Sequence, residues 1–383
     1  MLRVLITGGA GFIGSSLVNS LMTSGNCNII VLDNLSRGSL DNISRWLGSP
    51  DFEFLQYDML DYSNPLNERE SVLQWAVNRS DIIFHLAANP DVAIGGENSR
   101  IDFQQNVQVT YNLLEAIRNS DVTLVQSNAK ITERKKKKLI FASSSTVYGE
   151  ANLKPTPENY SPLYPISLYG ATKLAGEVII SGYCHMFDIQ CIVARLANII
   201  GPTNHHGVVH DFITKLSSHP DYLDILGNGQ QNKSYLHIED CVSALLLLAK
   251  KMEEDENTNS LDKDGNMNSL IYDNFSDRFN WRFNNKKSYQ KHSQFQVFNV
   301  GSDDTMTVME IAQIVIDRLS LKRDNVRNVF KNSFEGGRGW KGDVPDFWLD
   351  CSKLKTTGWR PKYKSKDAVI DTCNEYIKLN GMK

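Results

Sequence analysis

The stretch Thr7-Gly-Gly-Ala-Gly-Phe-Ile-Gly14 joins a short apolar run, Arg3–Thr7, to a helical pattern, Phe12–Ser24, and satisfies G-x-G-x-x-G. Glycines at such a turn let the backbone approach a pyrophosphate, whose charge is met by the N-terminus of the following helix. An acid, Asp33, ends the second apolar run. A carboxylate at this place accepts hydrogen bonds from a ribose 2′-OH and repels a 2′-phosphate. The stretch therefore predicts a dinucleotide site with NAD as the cofactor.

Outward from this motif, the first 200 residues alternate short β-branched runs with longer helical patterns. This alternation is typical of βαβ units, so we predict an α/β fold with a doubly wound parallel (Rossmann) sheet and a smaller α/β C-terminal substrate-binding domain. The predicted strands are Arg3–Thr7, Ile29–Asp33, Phe52–Tyr57, Ile82–Leu86, Leu139–Ser143, Gln190–Arg195 and Phe298–Ser302. The predicted helices include Phe12–Ser24, Arg100–Asn119, Tyr169–Met186 and Val308–Leu319.

The chain divides into three predicted parts: an NAD-binding Rossmann domain (1–200, 234–250 and 295–302), a substrate-binding domain (201–233 and 303–383) and a mobile insertion (251–294). The insertion is dense in Asn, Asp, Glu and Lys and has little apolar content with which to pack. A second polar stretch, Val122–Lys138, contains the basic run Arg134-Lys-Lys-Lys-Lys138. We interpret this stretch as a solvated surface loop.

Composition and charge exclude several classes of partner. Lys+Arg 41 against Asp+Glu 44 gives a net charge of −3, which offers no general attraction to nucleic acid or anionic lipid. The six cysteines are scattered without a C-x-x-C pair, which favours neither a zinc site nor a disulfide framework. No apolar run approaches the roughly 18 residues of a spanning helix, and the glycine motif comes too early for a signal peptide. We expect a cytoplasmic protein without metal, nucleic-acid or membrane partners.

A possible catalytic pair lies in the pattern Tyr169-Gly-Ala-Thr-Lys173. On a helix, residues four apart share one face about one turn from each other. At ~6 Å and an effective dielectric constant of ~20, an ammonium stabilises a phenolate by roughly 2.8 kcal/mol, or about two pKa units. This spacing predicts that Lys173 lowers the pKa of Tyr169 toward working pH, where the tyrosine can act as a general base or acid.

A third constellation, Phe141-Ala-Ser-Ser-Ser-Thr-Val-Tyr-Gly149, is a strand that runs out into hydroxyl groups. Open parallel sheets bind their ligands at the carboxyl ends of the strands. We predict that Ser144 hydrogen-bonds a substrate hydroxyl beside Tyr169.

The glycine motif, Ser-Ser-Ser-x-Val-Tyr-Gly and Tyr-x-x-x-Lys, in this order, resemble the extended short-chain dehydrogenase/reductase superfamily. The branch is that of the NAD-dependent nucleotide-sugar epimerases and dehydratases, and the likeness is closest to the UDP-glucose 4-epimerase group. It covers nearly the whole chain and includes His85-Leu-Ala-Ala88, Arg195-Leu-Ala-Asn-Ile-Ile-Gly-Pro202, Tyr235-Leu-His-Ile-Glu-Asp240 and Gly342-Asp-Val-Pro-Asp-Phe-Trp-Leu-Asp350.

The resemblance implies roles for individual residues. The catalytic residues would be Ser144, Tyr169 and Lys173. The cofactor-binding residues would be Gly8, Gly11, Phe12 and Ile13 at the pyrophosphate, Asp33 and Asn34 at the adenosine ribose, Asp58 and Met59 at adenine, and Ala87, Ala88, Asn106, Tyr169 and Lys173. The substrate-binding residues would be Ser144, Asn198 and Lys233 with Arg338 at the diphosphate, and Leu226 on uracil.

Four positions differ from patterns found within the family, and they bear on substrate binding and on the reaction. Lys233 replaces an arginine, and Trp340 occupies the place of a second arginine, whose role Arg338 would take over. The family's 4,6-dehydratases carry Asp-Glu beside the catalytic hydroxyl, where this chain has Ser145 and Thr146. A simple epimerase needs no such acid and base.

The resemblance therefore implies NAD-dependent epimerisation of a UDP-sugar at C4, of the UDP-glucose/UDP-galactose type, through a transient 4-keto sugar. It also implies a homodimer, with Val107, Tyr111, Leu114 and Ile117 as an apolar stripe on one contact helix, although the same stripe could face the sheet. Two alternatives stay open. One is a UDP-glucuronate or other nucleotide-sugar epimerase, and the other is a catalytically idle NAD-binding sensor or interaction protein.

Overall fold

The computed structural model describes residues 2–62, 71–92, 94–120, 136–187, 189–261, 294–331 and 334–381, with the backbone alone at 94 and 254–261. A seven-stranded, wholly parallel sheet forms its centre. The strands are β1 (Leu2–Thr7), β2 (Cys27–Asp33), β3 (Phe52–Gln56), β4 (Ile82–His85), β5 (Lys138–Ser144), β6 (Gln190–Leu196) and β11 (Phe295–Val300). The spatial order is β11-β6-β5-β4-β1-β2-β3, so the winding reverses between β1 and β4. The doubly wound parallel sheet predicted from the sequence is confirmed.

Some helices pack on the two faces of this sheet, and others belong to the segments outside it. They are α1 (Phe12–Ser24), α2 (Val72–Asn78), α3 (Ile94–Glu97), α4 (Ser99–Asp102), α5 (Val109–Asn119), α6 (Leu168–Phe187), α7 (Val208–Ser218), α8 (Ile238–Leu261), α9 (Val308–Arg318), α10 (Ser352–Lys355) and α11 (Ser365–Leu379). Short strands complete the structure: β7 (Asn198–Ile200), β8 (Tyr222–Leu226), β9 (Asn232–Lys233), β10 (Tyr235–His237), β12 (Met306–Thr307), β13 (Arg327–Lys331) and β14 (Asp346–Phe347). Among the described residues, none of these helices combines the length and apolarity that crossing a bilayer requires.

The two faces of the sheet have separate cores because successive strand residues point to opposite sides. Val4 and Ile6 of β1 pack in one core with residues of α1 and α8, whereas Leu5 packs in the other with residues of α2, α5 and α6. A third core joins α7, β8, α9 and α11. Leu354 and Trp359 pack in the first of these cores, although they lie within the predicted substrate-binding segment.

The predicted insertion begins too early. Helix α8 continues through Leu261, and Met252 is buried in the first core beside Leu245 and Leu248. These three residues share one helical face, and the polar composition after Lys250 hid this continuation of the stripe. Residues 262–293 lie outside the described residues.

The prediction for the basic run before β5 was also wrong at its end. Residues 121–135 are outside the described part, but the Lys137 ammonium donates hydrogen bonds to the carbonyls of Val77 (2.9 Å) and Ser80 (2.5 Å). It thereby satisfies acceptors at the C-terminal end of α2, where helix carbonyls lack intrahelical donors. Lys138 is buried and opens β5. The end of the run is therefore structural and not a solvated loop.

Candidate active site

The glycine loop follows β1 at the reversal of strand order, where open α/β sheets bind ligands. Gly8 has φ +73°, and a Cβ there would lie 2.7 Å from the backbone nitrogen of Ala87. A Cβ at Gly14 would lie 2.1 Å from the carbonyl oxygen of Gly8. Both glycines are thus required by the turn and by the packing of α1. At Gly11, which caps α1 without a side-chain hydrogen bond, a Cβ would meet only the Gly8 oxygen, at 3.3 Å.

Asp33 ends β2 and faces the same loop. Its carboxylate accepts hydrogen bonds from the backbone nitrogens of Ala10 (3.0 Å) and Leu35 (2.8 Å). Burial raises the pKa of this carboxyl, while the two backbone donors oppose the shift. A carboxylate has about four acceptor positions, so further capacity remains for a ribose hydroxyl. The residue fits the predicted cofactor.

The predicted adenosine residues lie together. The Asn34 side-chain amide donates to the Asp58 carboxylate at 3.0 Å, and the backbone nitrogen of Leu60 donates to the same carboxylate at 2.9 Å. Met59 is buried, and its carbonyl accepts a hydrogen bond from Asn112 at 2.8 Å. Phe12 and Ile13 at the start of α1 are partly buried against the first core.

Asn106 lies in a π-helical stretch, Phe103–Gln108, which joins α4 to α5 inside the predicted helix Arg100–Asn119. Its side-chain oxygen accepts from the backbone nitrogen of Asn89 (2.9 Å), and its nitrogen donates to Thr172 Oγ1 (2.9 Å). It thus ties the segment that follows Ala87 and Ala88 to α6, one residue before the predicted catalytic lysine. Single π-helical turns frequently occur at functional sites.

The predicted catalytic residues meet at the end of β5. Ser144 is the last residue of that strand, and its hydroxyl lies close to the phenol of Tyr169 in the first turn of α6. The Lys173 ammonium lies 5.9 Å from the centroid of the Tyr169 ring and donates to the Ala142 carbonyl at 2.9 Å. The Thr146 hydroxyl donates to Ser144 Oγ at 2.9 Å.

The pKa values at this cluster differ from the expectation. Burial raises the pKa of Tyr169 to about 12; the Ser144 hydrogen bond opposes this rise and the charge of Asp102 adds to it. Burial lowers the pKa of Lys173 to about 8, against the opposing charges of Glu177 and Asp102. The shift of the tyrosine is opposite to the one predicted from the Tyr–Lys spacing. Desolvation of the phenolate outweighs the attraction of an ammonium that is itself partly neutral near pH 8.

A buried ion pair that sequence reasoning missed lies beneath this cluster. Arg195 on β6 donates to the Glu177 carboxylate through Nε (3.0 Å) and Nη2 (2.7 Å), and the Ser143 hydroxyl donates to the same carboxylate. Arg195 also stacks over the Tyr148 ring at 4.7 Å. Glu177 is four residues after Lys173, so the Tyr-x-x-x-Lys periodicity, extended by one turn, was the available signal.

The predicted substrate side is assembled around Asp343, a buried carboxylate that sequence reasoning also missed. The Lys233 ammonium is 2.6 Å from its Oδ1, and the Arg338 guanidinium donates to its backbone carbonyl at 2.8 Å. Arg338 also forms an ion pair with Glu150 at 2.7 Å. Asn198 opens β7 and lies opposite Tyr235 in the register of the neighbouring strand β10, with its side chain close to the tyrosine phenol.

The loop 339–342, which precedes Asp343, lies close to the start of α6, the helix that holds Tyr169 and Lys173. A Cβ at Gly342 would lie 2.8 Å from the carbonyl oxygen of Ile166, three residues before Tyr169. Leu226 ends β8 with 39% of its surface exposed, and a Cβ at Gly339 would lie 3.1 Å from its side chain. The predicted substrate residues and the predicted catalytic residues are thus on neighbouring segments.

No group of three or more His, Cys, Asp and Glu residues that could hold a metal ion occurs within the described ranges. The six cysteines are all buried as free thiols.

The fold and the site together define the class, a dinucleotide-binding enzyme built on a doubly wound sheet. The chain belongs to the NAD dependent epimerase/dehydratase family, whose model matches residues 4–261. The predicted family, the predicted NAD cofactor and the predicted class of enzyme, an NAD-dependent nucleotide-sugar epimerase, are confirmed.

Individual relatives differ in what they act on. The chain is 33% identical over 250 residues to the UDP-glucose 4-epimerase of Mycolicibacterium smegmatis (64% of this chain, 72% of the relative). It is 30% identical over 262 residues to UDP-glucuronic acid decarboxylase 5 of Arabidopsis thaliana (67% of each). A crystal structure of a UDP-galactose 4-epimerase superposes with a TM-score of 0.72 at 35% identity and 99% coverage of both chains.

Proposed function

We propose that the protein interconverts the C4 epimers of a UDP-sugar of the glucose/galactose type. The observation that carries this proposal is the chemistry around Ser144. Its described neighbours are the phenol of Tyr169 and the hydroxyl of Thr146, with Ser145 buried beside them. An elimination of water would need an acid and a base at Ser145 and Thr146, and hydroxyl groups at neutral pH serve poorly in either role. Removal and return of one proton and one hydride needs no acid or base at these two positions, because Tyr169 can serve as both.

Each residue of the cluster has a defined task in this proposal. When bound, NAD supplies a hydride acceptor that returns the same hydride. Tyr169 takes the proton of the sugar 4-hydroxyl and later gives it back, while Ser144 hydrogen-bonds that oxygen. A phenol with a pKa of about 12 is a reluctant base at neutral pH. We infer that Lys173, held by the Ala142 carbonyl, lowers this pKa in the loaded enzyme together with the positive charge of the oxidised nicotinamide.

The substrate is held by groups that do not touch C4. We propose that Asn198, Lys233 and Arg338 bind the diphosphate and that Leu226 packs on the base. Anchoring at the diphosphate leaves the 4-keto sugar free to turn and present its other face. Both epimers should therefore bind with similar affinity, because the anchored part is common to them.

The test is product analysis after incubation of the NAD-loaded protein with UDP-glucose, UDP-galactose, UDP-glucuronate and UDP-N-acetylglucosamine. We expect interconversion of the first two. Turnover of UDP-glucuronate or UDP-N-acetylglucosamine alone would identify a different nucleotide-sugar epimerase, and NAD binding without turnover of any sugar would favour the idle sensor.

Tyr169→Phe tests the role of the phenol. It should abolish turnover and leave NAD bound, because the ring stays and only the titrating oxygen is lost. Tyr363→Phe, which removes a surface phenol near Glu239, is the matched control and should retain parental turnover. Turnover by the Tyr169→Phe protein would refute the assignment.

We also propose a cytoplasmic homodimer. Leu114 and Ile117 of the predicted contact stripe are buried in the second core, so the sheet accounts for that part of the stripe. Tyr111 of α5 is exposed, as are Val178 and Met186 of α6. These three apolar side chains support a contact through α5 and α6. Six unpaired buried thiols are consistent with a reducing compartment.

A further inference from the structure

Trp340 carries a hydrogen-bond donor for which the described part of the chain offers no acceptor. Its indole nitrogen Nε1 is buried and has no acceptor among the described residues. Buried indole N–H groups normally find an acceptor, because desolvating an unpaired donor costs free energy. The indole of Trp359 donates to Ser243 Oγ at 2.9 Å, and that of Trp46 donates to Asn19 Oδ1 at 2.6 Å. The unpaired donor of Trp340 therefore needs an explanation.

The surroundings of Trp340 indicate what the missing acceptor is. The Lys233 ammonium lies 5.4 Å from the centroid of the Trp340 ring. The carboxylate of Asp343, three residues further along the chain, already accepts from Lys233 on one oxygen and from the backbone nitrogen of Gly339 on the other. The loop 339–342 lies against the segment that precedes the catalytic helix. The Trp340 indole thus lies beside Lys233, one of the proposed diphosphate-binding cations, and the second, Arg338, is joined to the same cluster through the Asp343 backbone carbonyl.

We propose that Trp340 is a substrate-binding residue whose indole N–H donates a hydrogen bond to a phosphate oxygen of the bound nucleoside diphosphate. The inference rests on the proposed function, because it places a diphosphate at this cluster. It also gives a binding role to a position where this chain has Trp340 in place of the family's arginine. A neutral donor here can orient a phosphate oxygen without adding charge. The neighbouring cations, Lys233 and Arg338, are already partly neutralised by Asp343 and Glu150.

The experiment is isothermal titration of the NAD-loaded parent, Trp340→Phe and Trp340→His with UDP, UDP-glucose and uridine. Trp340→Phe keeps an aromatic ring and removes the donor, whereas Trp340→His keeps a ring N–H. We expect Trp340→Phe to weaken UDP and UDP-glucose by the same factor, at least about tenfold (about 1.4 kcal/mol), with uridine unchanged. Trp340→His should recover part of the loss. Trp359→Phe is the matched control and should bind UDP like the parent.

Three outcomes would overturn the inference. Unchanged UDP affinity in Trp340→Phe would mean that the N–H has no ligand acceptor. Equal losses for UDP and uridine would assign Trp340 to packing on the nucleoside, and a loss confined to UDP-glucose would assign the donor to the sugar. A parent protein that binds none of the three ligands would instead overturn the proposed function, and this inference with it.

The folding of the variants does not limit the test. If Trp340→Phe fails to fold, binding is followed on the parent through the indole N–H signals of its six tryptophans, and a Trp340 variant is used only to assign the signals. The signal of Trp340, assigned through Trp340→His, should move on addition of UDP and stay in place on addition of uridine. Absence of any indole shift with saturating UDP would overturn the proposal.

Discussion

Replacement of Arg195 by Met should be among the most destabilising single changes in this protein. Its guanidinium is 5% exposed and the Glu177 carboxylate 4% exposed, with 2.7 Å between the closest atoms. Arg195→Met leaves that carboxylate buried with only the Ser143 hydroxyl and the more distant Lys173 to compensate it. Loss of one member of a buried pair typically costs about 3–5 kcal/mol, and we expect a loss in this range.

The assay is urea-induced unfolding of the parent, Arg195→Met, Glu177→Met and the double variant. The double variant should lose clearly less than the sum of the two single losses, because it removes both charges together and leaves apolar side chains in their place. Arg323→Met is the control, since Arg323 forms an exposed ion pair with Asp317 that contributes little.

Two results would refute this reasoning. One is a free energy of unfolding for Arg195→Met that is no lower than that of Arg323→Met. The other is strict additivity of the two single losses, which would mean that the charges do not depend on each other. The pair also has a functional consequence, because Glu177 is one turn from Lys173 on α6 and Ser143 precedes Ser144. A loss of turnover should therefore accompany the loss of stability.

Three further outcomes are expected. Between pH 8 and 10.5 the unfolded chain binds the Lys173 proton more tightly than the folded chain does. As the pH increases through this range, the parent's free energy of unfolding should therefore rise by up to about 3 kcal/mol relative to that of Lys173→Met. Parallel pH profiles of the two proteins in urea titrations would contradict this. Gly14→Ala should unfold the protein, because its Cβ would lie 2.1 Å from a loop carbonyl, whereas Gly11→Ala should fold and lose NAD; thermal melts and acid extracts distinguish the two. Met186→Asp should convert the proposed dimer to a monomer in light scattering, since Met186 is 76% exposed on α6; Leu379→Asp, at a residue that is 63% exposed on α11, should not.

The sheet and its glycine loop could be predicted because they depend on local patterns. Helix α1 spans Phe12–Ser24 as predicted, and Asp33 ends β2 as predicted. Burial on both faces makes the inner strands of the sheet, such as β4, mostly apolar runs, and such runs are recognisable in the sequence alone. The same reasoning fails for α8, whose apolar stripe continues into a stretch that is mostly polar.

The partners of the charged groups could not be predicted, because they come from distant parts of the chain. Lys137 reads as part of a basic run, yet its ammonium binds carbonyls 57 and 60 residues away. Asp343 lies 110 residues from Lys233, and nothing in the local sequence relates them. The prediction that the pKa of Tyr169 is lowered was wrong for a similar reason. Spacing gives the distance between two side chains on a helix, but not the burial that desolvates them.

The same contacts bear on how strongly a diphosphate can be bound. Lys233 reaches the substrate side already paired with Asp343, and Arg338 already paired with Glu150. A diphosphate that binds there must share these cations or displace their carboxylates, so each contact contributes less than that of an unpaired cation. Because the positive charges of the site are already compensated by carboxylates, salt has little net attraction to screen. UDP affinity should therefore fall only weakly as ionic strength increases. A neutral indole donor is suited to such a site, because its contribution depends on alignment and exclusion of water and not on net charge.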